Sequence, residues 1–168
     1  MFSGKTEELI RRVNRVVLAK KTVKIFKPAL ETRYSVSEVV SHNKTSVPAV
    51  VVNDAKEILS HIASAEVVAI DEAQFFDTQL ISVCKQLAAK NIRVIVAGLD
   101  MDYKGEPFGP MPQMLAIADQ ITKLHAICIE CGNLANFTHR INSEEELIVL
   151  GEKDKYTALC RVCYNNKK

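Results

Sequence analysis

Two cysteine pairs near the end of the chain have the spacing of a metal-binding site. They are Cys128-Ile-Glu-Cys131 and Cys160-Arg-Val-Cys163, and they contain four of the five cysteines in the sequence. Four thiolates in two such pairs can surround one Zn²⁺ ion tetrahedrally. Disulfide bonding is the weaker alternative, because the rest of the chain has the character of an intracellular protein. The spacing therefore predicts a structural zinc site.

The first residues of the chain contain the second half of a phosphate-binding motif. Gly4-Lys5-Thr6 leads directly into a predicted helix. In a P-loop, backbone N–H groups and the helix dipole bind phosphates, the lysine reaches the β- and γ-phosphates, and the threonine hydroxyl binds Mg²⁺. For these three residues alone, an ordinary helix start is the alternative.

Adjacent carboxylates follow a strongly apolar segment in the middle of the chain. Residues 67–70 are Val-Val-Ala-Ile, and Asp71-Glu72 come directly after them. In P-loop proteins an acid at this strand end helps to hold Mg²⁺, and its neighbour can act as a general base. A strand that ends in a solvated acidic turn is the alternative. Together with Gly4-Lys5-Thr6, the pair favours a nucleotide site.

The apolar pattern predicts the elements that must position these groups. Helices are predicted over residues 6–20, over the segment with Ile58, Leu59 and Ile62 that Asp54 can cap, and over residues 80–88. Short strands are predicted at residues 23–25, 49–52, 66–71 and 92–97. Buried strands separated by helices indicate an α/β fold with a parallel sheet covered on both faces. The Pro/Gly-rich residues 104–112 predict a loop near the site.

Composition limits the classes of protein that remain. The chain has 168 residues, 48% of them hydrophobic and 25% charged, which is typical of one main domain with a small appendage. We place the boundary between residues 1–126 and the cysteine-bounded residues 127–168. A net charge of +2 gives no electrostatic argument for nucleic acid or a membrane surface as partner. With no membrane-spanning run or secretory leader, we expect a cytoplasmic protein.

Several motifs, in this order and at this spacing, carry a family resemblance. They are Met-Phe-Ser-Gly-Lys-Thr-Glu-Glu-Leu, Asp-Glu-Ala-Gln-Phe-Phe, Gly-Leu-Asp, Pro-Phe-Gly-Pro-Met and the ending Lys-Tyr-x-x-x-Cys-Arg-x-Cys. From Met1 to about Tyr164 the chain resembles the type II, zinc-containing thymidine kinases in their bacterial form. The resemblance implies a RecA-like P-loop sheet flanked by helices, with a small zinc-binding domain whose lasso loop covers the substrate.

The resemblance also implies a reaction and the residues that perform it. ATP would transfer its γ-phosphate to the 5′-hydroxyl of thymidine, and of deoxyuridine, in nucleotide salvage. Glu72 would take the hydroxyl proton, and Arg33 would stabilise charge on the transferring phosphoryl group. Without the resemblance, Arg33 reads as a solvated loop residue. The ATP and Mg²⁺ would be held by Ser3, Gly4, Lys5, Thr6 and Asp71.

Further residues match the family positions that surround the nucleoside. Phe75, Tyr103 and Phe108 would enclose the base or sugar, although plain core packing is an equal alternative for these aromatics. The remaining candidates are Met1, Leu99, Thr138, Leu147, Val149, Gly151 and Tyr156. The resemblance implies ATP, Mg²⁺ and structural zinc as the bound groups, a homotetramer, and feedback inhibition by dTTP.

The chain departs from the family pattern at its start. The first P-loop glycine, and the strand that feeds the loop, would precede Met1. Upstream residues are then absent from the numbering or the chain starts at an internal methionine, so we expect an N-terminally incomplete chain. Loss of that strand would expose sheet edges and half of the phosphate cradle, and a chain that starts at Met1 would be a damaged enzyme.

Two other classes of protein remain open at this level. A zinc-ribbon module that binds nucleic acid or a partner should carry basic and aromatic residues around its cysteines, but residues 144–146 are Glu-Glu-Glu. A P-loop ATPase would hydrolyse ATP without a nucleoside, and it would need a sensor or arginine-finger arrangement that the sequence does not reveal.

Overall fold

The computed structural model describes residues 1–30, 38–40, 46–141 and 155–167. The strands in these residues are β1 (Val23–Pro28), β2 (Glu38–Val40), β3 (Ser46–Pro48), β4 (Val50–Val52), β5 (Val67–Ile70), β6 (Arg93–Val96), β7 (Ala126–Ile127), β8 (Leu134–Ala135), β9 (Phe137–Arg140) and β10 (Tyr156–Leu159). The helices are α1 (Lys5–Leu18), α2 (Glu57–His61), α3 (Gln79–Ala89), α4 (Met111–Ile117) and α5 (Arg161–Asn165). A short 3₁₀ helix (Ala73–Phe75) follows β5.

A parallel sheet of four strands lies at the centre of the molecule. Its strand order is β4-β1-β5-β6, so β5 is an inner strand and β6 lies at one edge. All four residues of β5 are buried, which explains its uninterrupted apolar sequence. The predicted parallel sheet flanked by helices is confirmed.

Helix α1 covers one face of this sheet. Its buried residues Leu9, Ile10, Val13 and Val16 recur at helical spacing and pack with Val67 and Ala69 of β5. The helix ends at Leu18, and Lys20 then adopts a positive φ of 57° that a continuing helix excludes. The N-terminus of α1 is thereby held beside the carboxyl ends of the strands.

The opposite face is covered by α2, α3 and α4. Val68 and Ile70, which alternate with Val67 and Ala69 along β5, pack there against Leu80 and other apolar side chains. Asp54 accepts a hydrogen bond from the Glu57 backbone N–H at 3.0 Å, which supports its predicted capping of α2. Cys84 of α3 belongs to this core.

The predicted loop over residues 104–112 is wrong at its C-terminal end. Helix α4 already begins at Met111, directly after Pro110. Pro112 lies in the first turn of α4, where a missing N–H breaks no helical hydrogen bond. A proline-rich segment therefore reads as a loop although its last residues start a helix.

The elements from Ala126 onward are short and antiparallel. Strand β7 pairs with β8, and β9 pairs with β10. They enclose a separate apolar cluster in which the rings of Phe137 and Tyr164 stack at 4.5 Å, and Phe2 and Met101 pack against it. Within the described residues, no helix has the length and apolar character needed to cross a bilayer.

Candidate functional site

The first turn of α1 meets the end of β5 at one corner of the sheet. Gly4 precedes the helix with a φ of 74°, a left-handed conformation that glycine adopts without steric cost. Thr6 Oγ1 then donates a hydrogen bond to Asp71 Oδ2 at 3.4 Å. The structure thus brings Gly4, Lys5, Thr6 and Asp71 together as the sequence predicted. A helix N-terminus, an ammonium group, a hydroxyl and a carboxylate are the groups that bind a metal-bound phosphate.

Asp71 is buried, with 5% of its surface exposed. Burial, followed by repulsion from Glu72, raises the pKa of the Asp71 carboxyl to about 7, although Lys5 and the hydrogen bond from Thr6 oppose the shift. The solvated acidic turn considered for this strand end is therefore wrong for Asp71. A buried carboxylate beside a hydroxyl suits Mg²⁺, whose charge would favour the ionised form.

Glu72 has an unusual backbone conformation next to this corner. Its φ is 50°, and it caps the 3₁₀ helix that begins at Ala73. The Glu72 backbone N–H donates to Asp71 Oδ1 at 2.9 Å, and Ala73 N–H donates to the Ala97 carbonyl at 3.0 Å. Such a conformation in a non-glycine residue is costly, and strained residues of this kind cluster at functional sites.

The Glu72 carboxylate has a buried partner that sequence reasoning missed. Gln74 Nε2 donates to Glu72 Oε2 at 2.5 Å, and Gln74 Oε1 accepts from the Leu99 backbone N–H at 2.9 Å. This brings the predicted residue Leu99 to the carboxylate through Gln74. A polar side chain between Ala73 and Phe75 was the available signal, because a buried glutamine requires partners for both ends of its amide.

Other residues that the sequence predicts to contact the nucleoside form two contacting pairs. The rings of Phe75 and Phe108 lie edge to face, with centroids 5.6 Å apart. The Met1 backbone nitrogen donates to Thr138 Oγ1 at 2.7 Å, which joins the first residue to β9. Both aromatic side chains of the first pair remain partly exposed, which leaves them available for contact with a ligand.

Tyr103 and Tyr156 are joined by a residue that the sequence analysis also missed. The guanidinium of Arg140 lies 3.6 Å from the Tyr103 ring centroid and donates to Tyr156 Oη at 2.8 Å. Arg140 is buried, and it lies two positions after Thr138 on β9, so both side chains lie on the same face of that strand. Tyr164 Oη donates to the Tyr103 carbonyl at 2.8 Å.

Four predicted site residues lie outside the described part of the chain. They are Arg33, Leu147, Val149 and Gly151. Their assigned roles therefore stay predictions.

A groove of about 980 Å³ runs along edge strand β6. It is lined by β6, by residues 117–124, and by Met1, Ser3 and Lys5 near the start of the chain. Neither Asp71 nor Glu72 lines this groove. The groove therefore includes Ser3 and Lys5 of the candidate phosphate site but not the carboxylates at the end of β5.

The four predicted cysteines converge on one point. The Sγ atoms of Cys128, Cys131, Cys160 and Cys163 all lie within 4.8 Å of one another, and all four are free thiols. Tetrahedral zinc with Zn–S bonds near 2.3 Å requires sulfur atoms roughly 3.8 Å apart, so the cluster could hold a metal ion and fits zinc. The disulfide alternative is not supported, since the Cys131 and Cys160 sulfurs are 3.5 Å apart.

The sulfurs of the cluster differ in how easily they ionise. Burial opposes ionisation of Cys128, but hydrogen bonds from backbone N–H groups, that of Cys160 foremost, outweigh it and lower the Cys128 pKa to about 6. Cys84 differs, because burial raises its pKa to about 12 and keeps it a neutral thiol. Hydrogen bonding with Cys160 and Cys131 likewise raises the pKa of Cys163 to about 12, so the clustered position of the four sulfurs, and not their pKa values, distinguishes them from Cys84. The thiolate is the form that binds metal.

Comparison with known proteins agrees with this site. A sequence model of the family described as "Thymidine kinase" matches residues 1–164. A protein named thymidine kinase from Bacteroides thetaiotaomicron is 56% identical over 164 residues, which cover 98% of this chain and 82% of that protein. Those from Porphyromonas gingivalis and Coprothermobacter proteolyticus are 50% and 51% identical, covering 98% and 96% of this chain and 80% and 85% of their own lengths.

Proposed function

The chain belongs to the thymidine kinase family, and we propose that it transfers the γ-phosphate of ATP to the 5′-hydroxyl of thymidine in nucleotide salvage. Deoxyuridine is the second substrate of the proposal. The observation that carries it is the corner at which Lys5 and Thr6 of α1 meet Asp71 and Glu72, which directly follow β5. That corner combines a phosphate-binding helix N-terminus with a candidate base.

The proposed step is an in-line displacement at the γ-phosphorus. The 5′-oxygen of the nucleoside forms a bond to phosphorus while the bond to the bridging β,γ-oxygen breaks, and ADP leaves with that electron pair. Glu72 accepts the hydroxyl proton, because a neutral alcohol is a weak nucleophile. Its backbone, held through Ala73 and Asp71, fixes the position of the carboxylate. The products are dTMP and ADP.

The triphosphate is proposed to lie against the N-terminus of α1. Ser3, Gly4 and Lys5 would bind its oxygens through backbone N–H groups and the ammonium group. Thr6 Oγ1 and Asp71 would hold Mg²⁺, which when bound neutralises charge on the phosphates. Arg33 is proposed to stabilise the transferring phosphoryl group.

The nucleoside is proposed to lie between the 3₁₀ helix, the segment after β6, and β9–β10. Phe75 and Phe108 would enclose the ring or sugar, supported by their edge-to-face contact. Leu99, Tyr103, Thr138, Tyr156 and Met1 would line the remaining wall. Backbone groups of Leu147, Val149 and Gly151, on a lasso loop, would pair with the pyrimidine.

Zinc is the metal we propose for the four cysteines, because four clustered thiolates form a typical closed structural site. When bound, the ion joins the two cysteine pairs and anchors both ends of the intervening segment. We propose that residues 127–168 form this unit, separate from the P-loop unit of residues 1–126. A cytoplasmic homotetramer inhibited by dTTP completes the proposal.

A nucleoside panel tests the function. Phosphorylation of thymidine, deoxyuridine and purine deoxynucleosides is measured with Mg²⁺-ATP for the unmodified chain, Glu72→Gln and the exposed control Asp77→Asn. We expect pyrimidine turnover that falls by about 10²–10⁴-fold in Glu72→Gln and is unchanged in the control. ATP hydrolysis independent of nucleoside would instead indicate an ATPase, and absence of any nucleoside turnover would contradict the proposal.

A further inference from the structure

Gln74 is the most completely enclosed polar side chain near the carboxylate pair. Only 2% of its surface is exposed. Its amide nitrogen donates to Glu72 Oε2 at 2.5 Å, and its amide oxygen accepts from Leu99 N–H at 2.9 Å. Because both ends of the amide are engaged, the nitrogen and oxygen cannot exchange places without losing two buried hydrogen bonds. The direction of the bond to Glu72 is thereby fixed.

Two glycines leave the space that Gln74 occupies. A Cβ atom at Gly109 would lie 2.2 Å from the backbone carbonyl oxygen of Gln74. A Cβ atom at Gly98 would lie 3.1 Å from the side-chain oxygen, Gln74 Oε1. The segments on either side of residues 99–108 therefore pack directly against this residue. The Gly109 segment packs against the Gln74 backbone and the Gly98 segment against its amide, so both restrict movement of the side chain that contacts Glu72.

We propose that Gln74 is a positioning residue, which orients the Glu72 carboxylate toward the nucleoside hydroxyl and couples it to the backbone of Leu99. This inference rests on the proposed role of Glu72 as the base. Gln74 itself reaches no reacting atom. Its contribution is to hold an acid that already occupies a strained backbone position, where a freely rotating carboxylate would lose the geometry of proton transfer.

The link to Leu99 gives the contact a second role. Leu99 opens the segment that continues to Tyr103 and Phe108, the proposed nucleoside wall. Gln74 thus ties the base to the backbone that starts this wall. A change at Gln74 should therefore lower kcat more than it raises the KM for thymidine, because the wall itself keeps its side chains.

Two substitutions at position 74 distinguish the loss of the hydrogen bonds from the addition of a charge beside Glu72. Gln74→Met keeps the side-chain length and removes both hydrogen bonds. Gln74→Glu keeps an acceptor for Leu99 N–H but places a second carboxyl against Glu72. The charged groups that already face this corner include Asp71 directly after β5, Lys5 on α1 and the amino group of Met1. A matched control is Gln79→Glu, because exposed Gln79 donates to Asp77 at 3.1 Å with the same two-residue spacing.

Steady-state kinetics at one pH give the first test. We expect Gln74→Met to lower kcat by roughly 10–100-fold with a smaller change in KM. Gln74→Glu should lower kcat more than it changes KM as well, because it keeps an acceptor for Leu99 N–H but lacks the donor to Glu72. Gln79→Glu should stay within about twofold of the unmodified chain. Unchanged kcat in both position-74 variants would overturn the proposal.

A measurement without turnover separates this inference from the proposed function. The Gln74 side-chain amide is observed by ¹H–¹⁵N NMR at one pH, with its resonance assigned by its loss in Gln74→Met. We expect that resonance to shift in Glu72→Gln, which replaces the carboxylate acceptor by an amide, and to stay constant in the exposed control Asp77→Asn. An unmoved resonance would refute the pairing even in an active kinase. A moved resonance in a chain without thymidine turnover would reject the kinase and retain the pairing.

Discussion

Thr6 Oγ1 donates a hydrogen bond to Asp71 Oδ2, which joins the first turn of α1 to the end of β5 across 65 residues of sequence. The contact exists because α1 packs on the sheet through Leu9 and Ile10 and so directs its N-terminus to the carboxyl edge of the strands. Ligands of open α/β sheets bind at this edge. The core packing thereby brings Lys5 and Thr6 to Asp71 and Glu72.

Protonation of Asp71 should make stability depend on pH. Its pKa is raised from 3.8 to about 7, so the folded chain retains a proton that the unfolded chain has released between these values. This stabilising contribution is complete below about pH 4 and is lost as the pH rises through about 7. In metal-free protein we expect this ionisation to lower the free energy of unfolding by about 2 kcal/mol between pH 5 and pH 7, since the slope is about 1.36 kcal/mol per pH unit until Asp71 itself begins to ionise in the folded state.

Urea unfolding in EDTA at several pH values checks this expectation. Asparagine at position 71 cannot ionise, so the free energy of unfolding of Asp71→Asn should not decline for this reason. The variant should therefore become more stable relative to the unmodified chain as the pH rises. The exposed control Asp119→Asn should follow the unmodified chain. Parallel curves for the unmodified chain and Asp71→Asn would show that Asp71 titrates at the same pH in both states.

Removal of one clustered cysteine should release the metal. We expect Cys131→Ser to lose the single bound zinc ion measured by elemental analysis, because a hydroxyl is a poor substitute for a thiolate ligand. Amide hydrogen exchange should then increase in β7–β10 and much less in β5. Zinc-peptide sites contribute on the order of 10 kcal/mol to folding, which exceeds what such short strands supply.

Cys84→Ala is the matched control for this loss. Cys84 is a neutral core thiol on α3, so its replacement should cost stability but leave one zinc ion per chain. Full zinc content in Cys131→Ser, or equal zinc loss in both variants, would contradict assignment of the metal to the cluster.

The sequence predicted the elements whose apolar pattern is strong. Residues 66–71 and 6–20 correspond closely to β5 and α1, since one is fully buried and the other has a regular apolar face. Strands β7 and β8 have two residues each, too few for any periodicity to identify. They form because the cysteines and the nearby aromatic stack hold them together.

The site was predictable to the same extent. Gly4-Lys5-Thr6 and Asp71-Glu72 can be recognised as candidate functional motifs from their local sequence. The structure brings these two segments together. The contacts of Gln74 with Leu99 and of Arg140 with Tyr103 join distant parts of the chain. Neither has a local motif, because each arises from how separate elements pack.

Arg140 should support the nucleoside wall through its planar guanidinium. Arg140→Lys would lose the stack on Tyr103 and the present geometry of the hydrogen bond to Tyr156, since an ammonium group lacks a flat face. We expect the KM for thymidine to rise about tenfold while the KM for ATP stays unchanged, which corresponds to about 1.4 kcal/mol.

The exposed substitution Arg11→Lys is the control for this change. Arg11 pairs with Glu8 on the surface of α1, so its replacement should leave both KM values unaltered. Equal effects on the two substrates in Arg140→Lys would assign this arginine to general stability and not to the nucleoside wall.

Alanine substitutions at Gly109 and Gly132 distinguish the cost of a left-handed backbone from the cost of steric overlap. Both have positive φ, 51° and 74°, but a Cβ atom at Gly109 would lie 2.2 Å from the Gln74 carbonyl oxygen, whereas one at Gly132 meets nothing within 4 Å. Gly132→Ala should therefore cost only the left-handed conformation, about 1–2 kcal/mol. Gly109→Ala should cost a further 1–3 kcal/mol, roughly, from overlap with a rigid backbone.

Urea unfolding of zinc-loaded protein gives the two costs, and kinetics give a second contrast. A Cβ atom at position 109 would displace Gln74. Gly109→Ala should therefore also have a lower kcat when it is assayed under conditions in which both variants are fully folded. Gly132→Ala should keep its kcat. Equal destabilisation by the two alanines would mean that the 108–110 turn moves away from Gln74 at little cost, and that this side of the residue is not rigid.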